Sequence, residues 1–169
     1  MDTVDAERVL AGIPLFEETL DEAQLGALAH KSSPVIFPSG SILMTEGDFA
    51  TSMFAIVEGT VAVTVADHDG SARHVADLKA GDIVGEMSLM TGARRSATVT
   101  AATEVTALEV TKFSLEAILT HAPELIDRFG EILTRRRAEL DQIAAEAAPK
   151  DDVVSQIRRF FPSVFGRRA

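Results

Sequence analysis

Residues 81–101 read GDIVGEMSLMTGARRSATVTA, and both the fold and the chemistry of the chain can be worked outward from this stretch. Gly85-Glu86 is followed by a short apolar turn, a loop containing Gly92, the pair Arg94-Arg95, and an alternation of polar and apolar residues after Ser96. Two strands joined by a polar loop would explain Gly92 and the alternation. They would not explain an acid at Glu86 beside a turn suited to anions. If residues 87–90 form one helical turn, its first N–H groups lack intrahelical acceptors and attract phosphate through those donors and the local dipole. Arg95 adds a planar fork of donors that matches two phosphate oxygens. Glu86 would repel a bare phosphate at that distance, so it argues for a ligand that also presents hydroxyl donors, such as a ribose. An acid and an arginine around one turn therefore point to a sugar phosphate.

The string GEMSLMTGARRSATV at 85–99 resembles the phosphate-binding cassette of cyclic nucleotide-binding domains, as found in catabolite activator proteins, kinase regulatory subunits and nucleotide-gated channels. The resemblance implies that Glu86 takes the ribose 2′-hydroxyl and Arg95 the cyclic phosphate. The backbone near Gly85, Met87 and Ser88 would complete the cradle, with Ser96 and Ala97 following along the ligand. It implies cAMP as the usual ligand; Ser96, which could bond phosphate or a guanine amino group, leaves cGMP open. No cofactor or metal is implied. Arg94 departs from the pattern, since relatives often carry Pro there, and its charge is expected to face solvent or the outer field of the phosphate.

Composition agrees. At 169 residues the chain is one domain with room for an appendage, long enough to bury about two thirds of its unfolded surface. It has no cysteine, hence no disulfide framework and no thiolate chemistry. The opening Met-Asp-Thr-Val-Asp lacks a basic n-region, and no apolar run approaches the ~20 residues needed to span a bilayer. A cytoplasmic location is the expectation, on the cytoplasmic side of a membrane if the chain belongs to a channel. The net charge of −10 argues against nucleic acid as a partner.

In chain order, residues 4–10 have a helical pattern, and Ile13, Leu15 and Phe16 are suited to tether it to a core. Thr19 with Glu22 reads as a capping box, followed by an apolar face of Leu20, Ala23, Leu25, Leu28 and Ala29. From Pro34 to Val110 the period becomes two, in short runs cut by turns at Gly40, Gly47, Gly59, Gly70 and Gly81. That predicts an antiparallel sandwich or barrel, with no room for the crossover helices of a parallel sheet. The fold expected is mainly β with flanking helices, and the resemblance implies the antiparallel double-sheet, jelly-roll-like cyclic nucleotide-binding fold. Helical spacing returns over 111–121 through Phe113, Ala117 and Ile118, breaks at Pro123, and resumes through Leu125, Phe129, Ile132, Leu133, Arg136 and Leu140.

The domain is placed at 1–148, ending in this long helix, and a basic, aromatic tail at 149–169. The tail carries +3 and the rest of the chain −13, and Ile157, Phe160, Phe161, Val164 and Phe165 interleave with its arginines. Such a segment suits an anionic membrane surface, or docking on its own domain or a sister subunit. The family implies that the long helix is hinged and moves when nucleotide binds. The chain has no Tyr or Trp to cap the base, and the resemblance to channel relatives from Pro123 onward implies Arg136 as the candidate lid over it. His30, His68, His74 and His121 are too dispersed for a metal set, and no serine has a suitable histidine partner, so the chain is read as not an enzyme. The function expected is a cyclic nucleotide-sensing regulatory domain coupled to that helix. Resemblance to channel tails points to a channel transmembrane domain as its effector. A stand-alone soluble nucleotide-binding protein acting through a partner, and a ligand-free interaction module, stay open beside it.

Overall fold

A computed structural model describes residues 2–144 and Ile157. The period-two region forms eight strands: β1 (Ser33–Phe37), β2 (Ile42–Met44), β3 (Ser52–Glu58), β4 (Thr60–Ala66), β5 (Ala72–Lys79), β6 (Ile83–Val84), β7 (Thr98–Ala101) and β8 (Val105–Thr111). They pair antiparallel in two four-stranded sheets, ordered β1-β8-β3-β6 and β2-β7-β4-β5. This is the mainly β double sheet that the alternation predicts. The β3–β4 turn shows why its glycine is needed: Gly59 has φ +92, and a Cβ there would press within 3.0 Å of Val105 Cα.

Two apolar clusters flank the first sheet, and β3 serves both. Phe54 and Ile56 point between the sheets to Val61, Val99 and Val105, whereas Met53 and Ala55 point to the helices. A strand buried on both faces has no polar side to show, which is why its run reads MFAIV rather than alternating.

Among the described residues six helices cover the outer side: α1 (Thr3–Ala11), α2 (Pro14–Glu17), α3 (Glu22–His30), α4 (Glu86–Thr91), α5 (Lys112–His121) and α6 (Leu125–Ala144). The long helix lays Leu125, Ile126, Phe129 and Leu133 into the core, and Phe129 meets Phe16 edge to face at 6.5 Å. Arg128 Nη2 donates to Glu18 O at 2.6 Å and Arg135 Nη2 to Glu18 Oε2 at 3.3 Å, tying α6 to the end of α2. The side chain of Leu140 and, Ile157 aside, the tail at 149–169 lie outside the described residues. Ile157 itself is fully buried in the helix-side cluster.

Two local expectations are corrected. The capping box of α3 is Asp21 with Gln24, not Thr19 with Glu22; the Thr19 hydroxyl instead donates to Leu15 O at 2.5 Å and is buried, and Ala23 faces solvent. Phe113 is 81% exposed, because α5 turns Leu115, Ile118 and Leu119 to the core and Phe113 away from it. A matched pair of substitutions tests the packing. Phe129→Ala should cost about 3 to 5 kcal/mol in urea denaturation, and Phe113→Ala should stay within about 0.5 kcal/mol of wild type.

Candidate functional site

The site begins where β6 ends. Gly85 sits at φ +83 and turns the chain into α4, a six-residue helix closed by Gly92 at φ +77. At Gly85 the need for glycine is double. The conformation is strained for other residues, and a methyl group there would run into Arg95 Nη1, with Met44 Sδ 3.3 Å away. Arg95 lies beneath the turn, only 6% exposed. Its Nη1 donates to Gly85 O and to Ser88 Oγ, each at 3.0 Å, and its Nη2 donates to Ser52 O at 2.6 Å. Its backbone N–H donates to Asp48 O at 2.8 Å, and Gly47 N–H returns a bond to Arg95 O at 2.8 Å. Burial pushes the guanidinium down from its ordinary value, and the nearby carboxylates of Glu86 and then Asp48 pull it back. It stays a cation, since arginine does not give up its proton in proteins. Of its five donors, three have partners among the described residues, which leaves Nε–H and one Nη2 proton.

Glu86, the first residue of α4, is 2% exposed. Arg136 of α6 donates from Nε to Glu86 Oε1 and from Nη2 to Ile83 O at 2.9 Å. Among the described residues no partner is assigned to Glu86 Oε2. The structure thus brings Gly85, Glu86, Met87, Ser88, Ser96, Ala97 and Arg136 to the lining of one pocket, with Met44, Val63, Leu78 and Val99 as apolar wall, and sets Arg95 behind Gly85 and Ser88. Arg94 is exposed and lies over the Phe49 ring at 4.7 Å. Sequence reasoning does not single out Met44 and Leu78, which come from separate strands, or Ser52, which meets Arg95 through a carbonyl and so leaves no mark in residue type. The pocket encloses about 80 Å³, below the roughly 300 Å³ at which small-molecule sites begin. Among the described residues no group of three His, Cys, Asp or Glu side chains could hold a metal ion, and no helix is long and apolar enough to cross a membrane.

A double-sheet roll carrying a glycine-led turn, a buried carboxylate and a buried arginine is a ligand-binding architecture. The chain belongs to the cyclic nucleotide-binding domain family, whose model matches residues 34–122. It is 35% identical over 136 residues to a cyclic nucleotide-gated potassium channel of Rhizobium etli, a match covering 80% of this chain and 36% of the channel. It is 30% identical over 129 residues to the cAMP-activated global transcriptional regulator CRP of Salmonella typhimurium, covering 76% of this chain and 59% of CRP. Among solved structures it resembles the catabolite activator protein of Thermus thermophilus, with TM-score 0.65, 26% identity, and 76% and 60% of the two chains covered. It also resembles the regulatory subunit of a cAMP-independent protein kinase A from Trypanosoma cruzi bound to guanosine, with TM-score 0.62, 27% identity, and 69% and 42% covered. The chain therefore spans about a third of the channel relative's length. These relatives are channels and regulators, not enzymes.

Gly85→Ala should destabilise the fold by more than Gly40→Ala does. Both glycines have similar positive φ, worth about 1 to 3 kcal/mol of strain in another residue, but a Cβ at Gly40 meets nothing within 4 Å. Urea denaturation of the two variants isolates the contribution of the Arg95 seat.

Proposed function

We propose that this chain is a cyclic nucleotide-sensing regulatory domain, with cAMP as its preferred ligand, which couples occupancy of the pocket to the position of α6. The observation that carries this reading is a single turn that places Glu86 in the pocket and Arg95 beneath it, with α6 reaching the same carboxylate through Arg136. Glu86 Oε2 accepts from the ribose 2′-hydroxyl, while Arg136 on Oε1 holds the carboxylate in place. The two spare donors of Arg95 meet the cyclic phosphate, with the backbone of Gly85, Met87 and Ser88 around it and Ser96 and Ala97 alongside. Met44, Val63, Leu78 and Val99 form an apolar wall for the purine, and Arg136 lies over it as lid.

The effector proposed is a channel transmembrane domain, on the strength of the likeness to the Rhizobium channel, with the domain on the cytoplasmic side. The net charge of −10 weighs against nucleic acid as a partner; the part of CRP outside its matched 59% has no counterpart in that likeness. Burial of Ile157 supports docking of the 149–169 tail on its own domain over an anionic membrane surface or a sister subunit.

Calorimetric titration tests the ligand and the two charges together. cAMP should bind more tightly than cGMP, and Arg95→Ala should lose a charge-assisted contact of about 2 to 5 kcal/mol, weakening cAMP by roughly thirty-fold or more. Glu86→Ala should lose less, about 1.5 to 3 kcal/mol. At about one hundred times its dissociation constant cAMP should add about 2.7 kcal/mol of stability, visible as a rise in melting temperature that AMP does not match. No heat from cAMP, or wild-type binding by Arg95→Ala, would remove the assignment and favour the interaction module.

Arg136→Ala should weaken cAMP by about three- to thirty-fold, less than Arg95→Ala. The same change should abolish ligand-induced movement of α6, read from spin-label distances between the helix and β4. Unchanged movement in that variant would pass the lid role to Phe129.

A further inference from the structure

Ser52, the first residue of β3, faces two ways. Its carbonyl accepts Arg95 Nη2 at 2.6 Å, and its hydroxyl donates to Glu109 Oε2 at 3.0 Å. The register pairs Ser52 with Thr111 and Phe54 with Glu109, which sets Glu109 diagonally across from Ser52 on the same face of the sheet. Ser52 is buried, and Glu109 opens on its far side to a surface groove shared with Thr111 and Lys112. The three protein acceptors of Arg95 are not equivalent. Gly85 O and Ser88 Oγ belong to the turn and move with it, whereas Ser52 O belongs to the sheet. The guanidinium therefore bridges a short turn and a strand, and its aim depends in part on the carbonyl of Ser52. The peptide of that carbonyl stands at the strand's first residue, where the ladder holds it from one side, and the bond of the Ser52 hydroxyl to Glu109 adds a side-chain restraint at the same residue.

We infer that Ser52 and Glu109 are positioning residues for Arg95: Glu109 fixes the Ser52 hydroxyl, and Ser52 in turn fixes the carbonyl that points the guanidinium at an anion. This rests on reading the pocket as a cyclic nucleotide site. A role confined to stability would weaken every ligand of the pocket alike. A role in aiming Arg95 touches only the phosphate, so the ratio of cAMP to adenosine binding separates the two.

The experiment is competition of cAMP and of adenosine against a fluorescent cAMP analogue, with the full chain. Ser52→Ala and Glu109→Ala should each weaken cAMP by about three- to ten-fold, the value of one hydrogen bond, and leave adenosine within about two-fold. Glu109→Gln keeps an oxygen acceptor for the Ser52 hydroxyl and should bind cAMP within about two-fold of wild type. The double variant Ser52→Ala, Glu109→Ala should be no weaker than either single one, because both changes cut the same link. Should Ser52→Ala fail to fold, the half-buried Glu109 pair carries the test alone. Equal losses of cAMP and adenosine, or no loss of cAMP, would overturn the relay while wild-type binding and the Arg95→Ala defect stand. Absence of cAMP binding by wild type would remove the pocket reading and the relay with it.

Discussion

A guanidinium taken out of water has to find a protein partner for nearly every donor it cannot leave to solvent, and that demand on Arg95 organises the cassette. Its three bonds reach the backbone of Gly85, the side chain of Ser88 and the backbone of Ser52, so the end of β6, the turn of α4 and the start of β3 are fixed by one side chain. Gly85 must be glycine for the same reason, since the space a Cβ would take is filled by Nη1. The charge is offset by Glu86 and Asp48. Deforming the turn would orphan a buried cation, which costs far more than an ordinary loop rearrangement. A turn held this way is stiff before any ligand arrives, and stiffness of binding groups is what lets binding energy be spent elsewhere.

The parts of this arrangement that were legible in the sequence are those where residue type itself carries the chemistry. Glu86 and Arg95 stand out because an acid and an arginine around a glycine-led apolar turn have little other use, and the strands stand out because their glycines fall between short period-two runs. The losses have physical causes too. Thr19 and Asp21 are both good cap residues, with Glu22 and Gln24 three positions on from each, and the choice fell to Asp21 because the Thr19 hydroxyl is drawn into the core against Leu15. Helical spacing put Phe113 on the face of Ile118, but the packing of α5 on β8 rotates that face by one position, towards Leu115 and Leu119. Ser52 was silent because a carbonyl is the same in every residue.

The long helix is held by two kinds of contact that differ in strength. Phe129 and Leu133 are fully buried, and removing them from the core would cost several kcal/mol, so α6 does not detach as a whole. The bond of Arg135 to the Glu18 carboxylate is exposed and worth little. Between these limits stands Arg136, whose partner Glu86 is buried and whose bond to Ile83 O fixes it to the strand that leads into the turn. An element with an apolar anchor near one end and polar side-chain ties beside it and farther along is suited to tilt rather than to unfold.

The size of the pocket turns that geometry into a constraint on coupling. With Arg136 on Glu86 the pocket, open on one side, offers about 80 Å³, and small-molecule sites are on the scale of at least 300 Å³. The sheet walls cannot yield, because Val63 and Val99 are paired partners inside a ladder and Val84 is buried against the inter-sheet core. Nor can the floor, which Arg95 holds. The part of the lining carried by a separate element is the side chain of Arg136, on the stretch of α6 that bears it. On the proposed reading, a nucleotide that displaces Arg136 has differential affinity for two arrangements of that helix segment, which is the thermodynamic requirement for a switch. How far the balance moves is then set by the difference between the bonds Arg136 makes to Glu86 and Ile83 O in the present arrangement and the contacts that replace them once nucleotide is bound. That difference is of the order of one charge-assisted hydrogen bond, roughly 1.5 to 3 kcal/mol, enough to shift a population by about ten- to one-hundred-fold without needing any contact beyond the pocket.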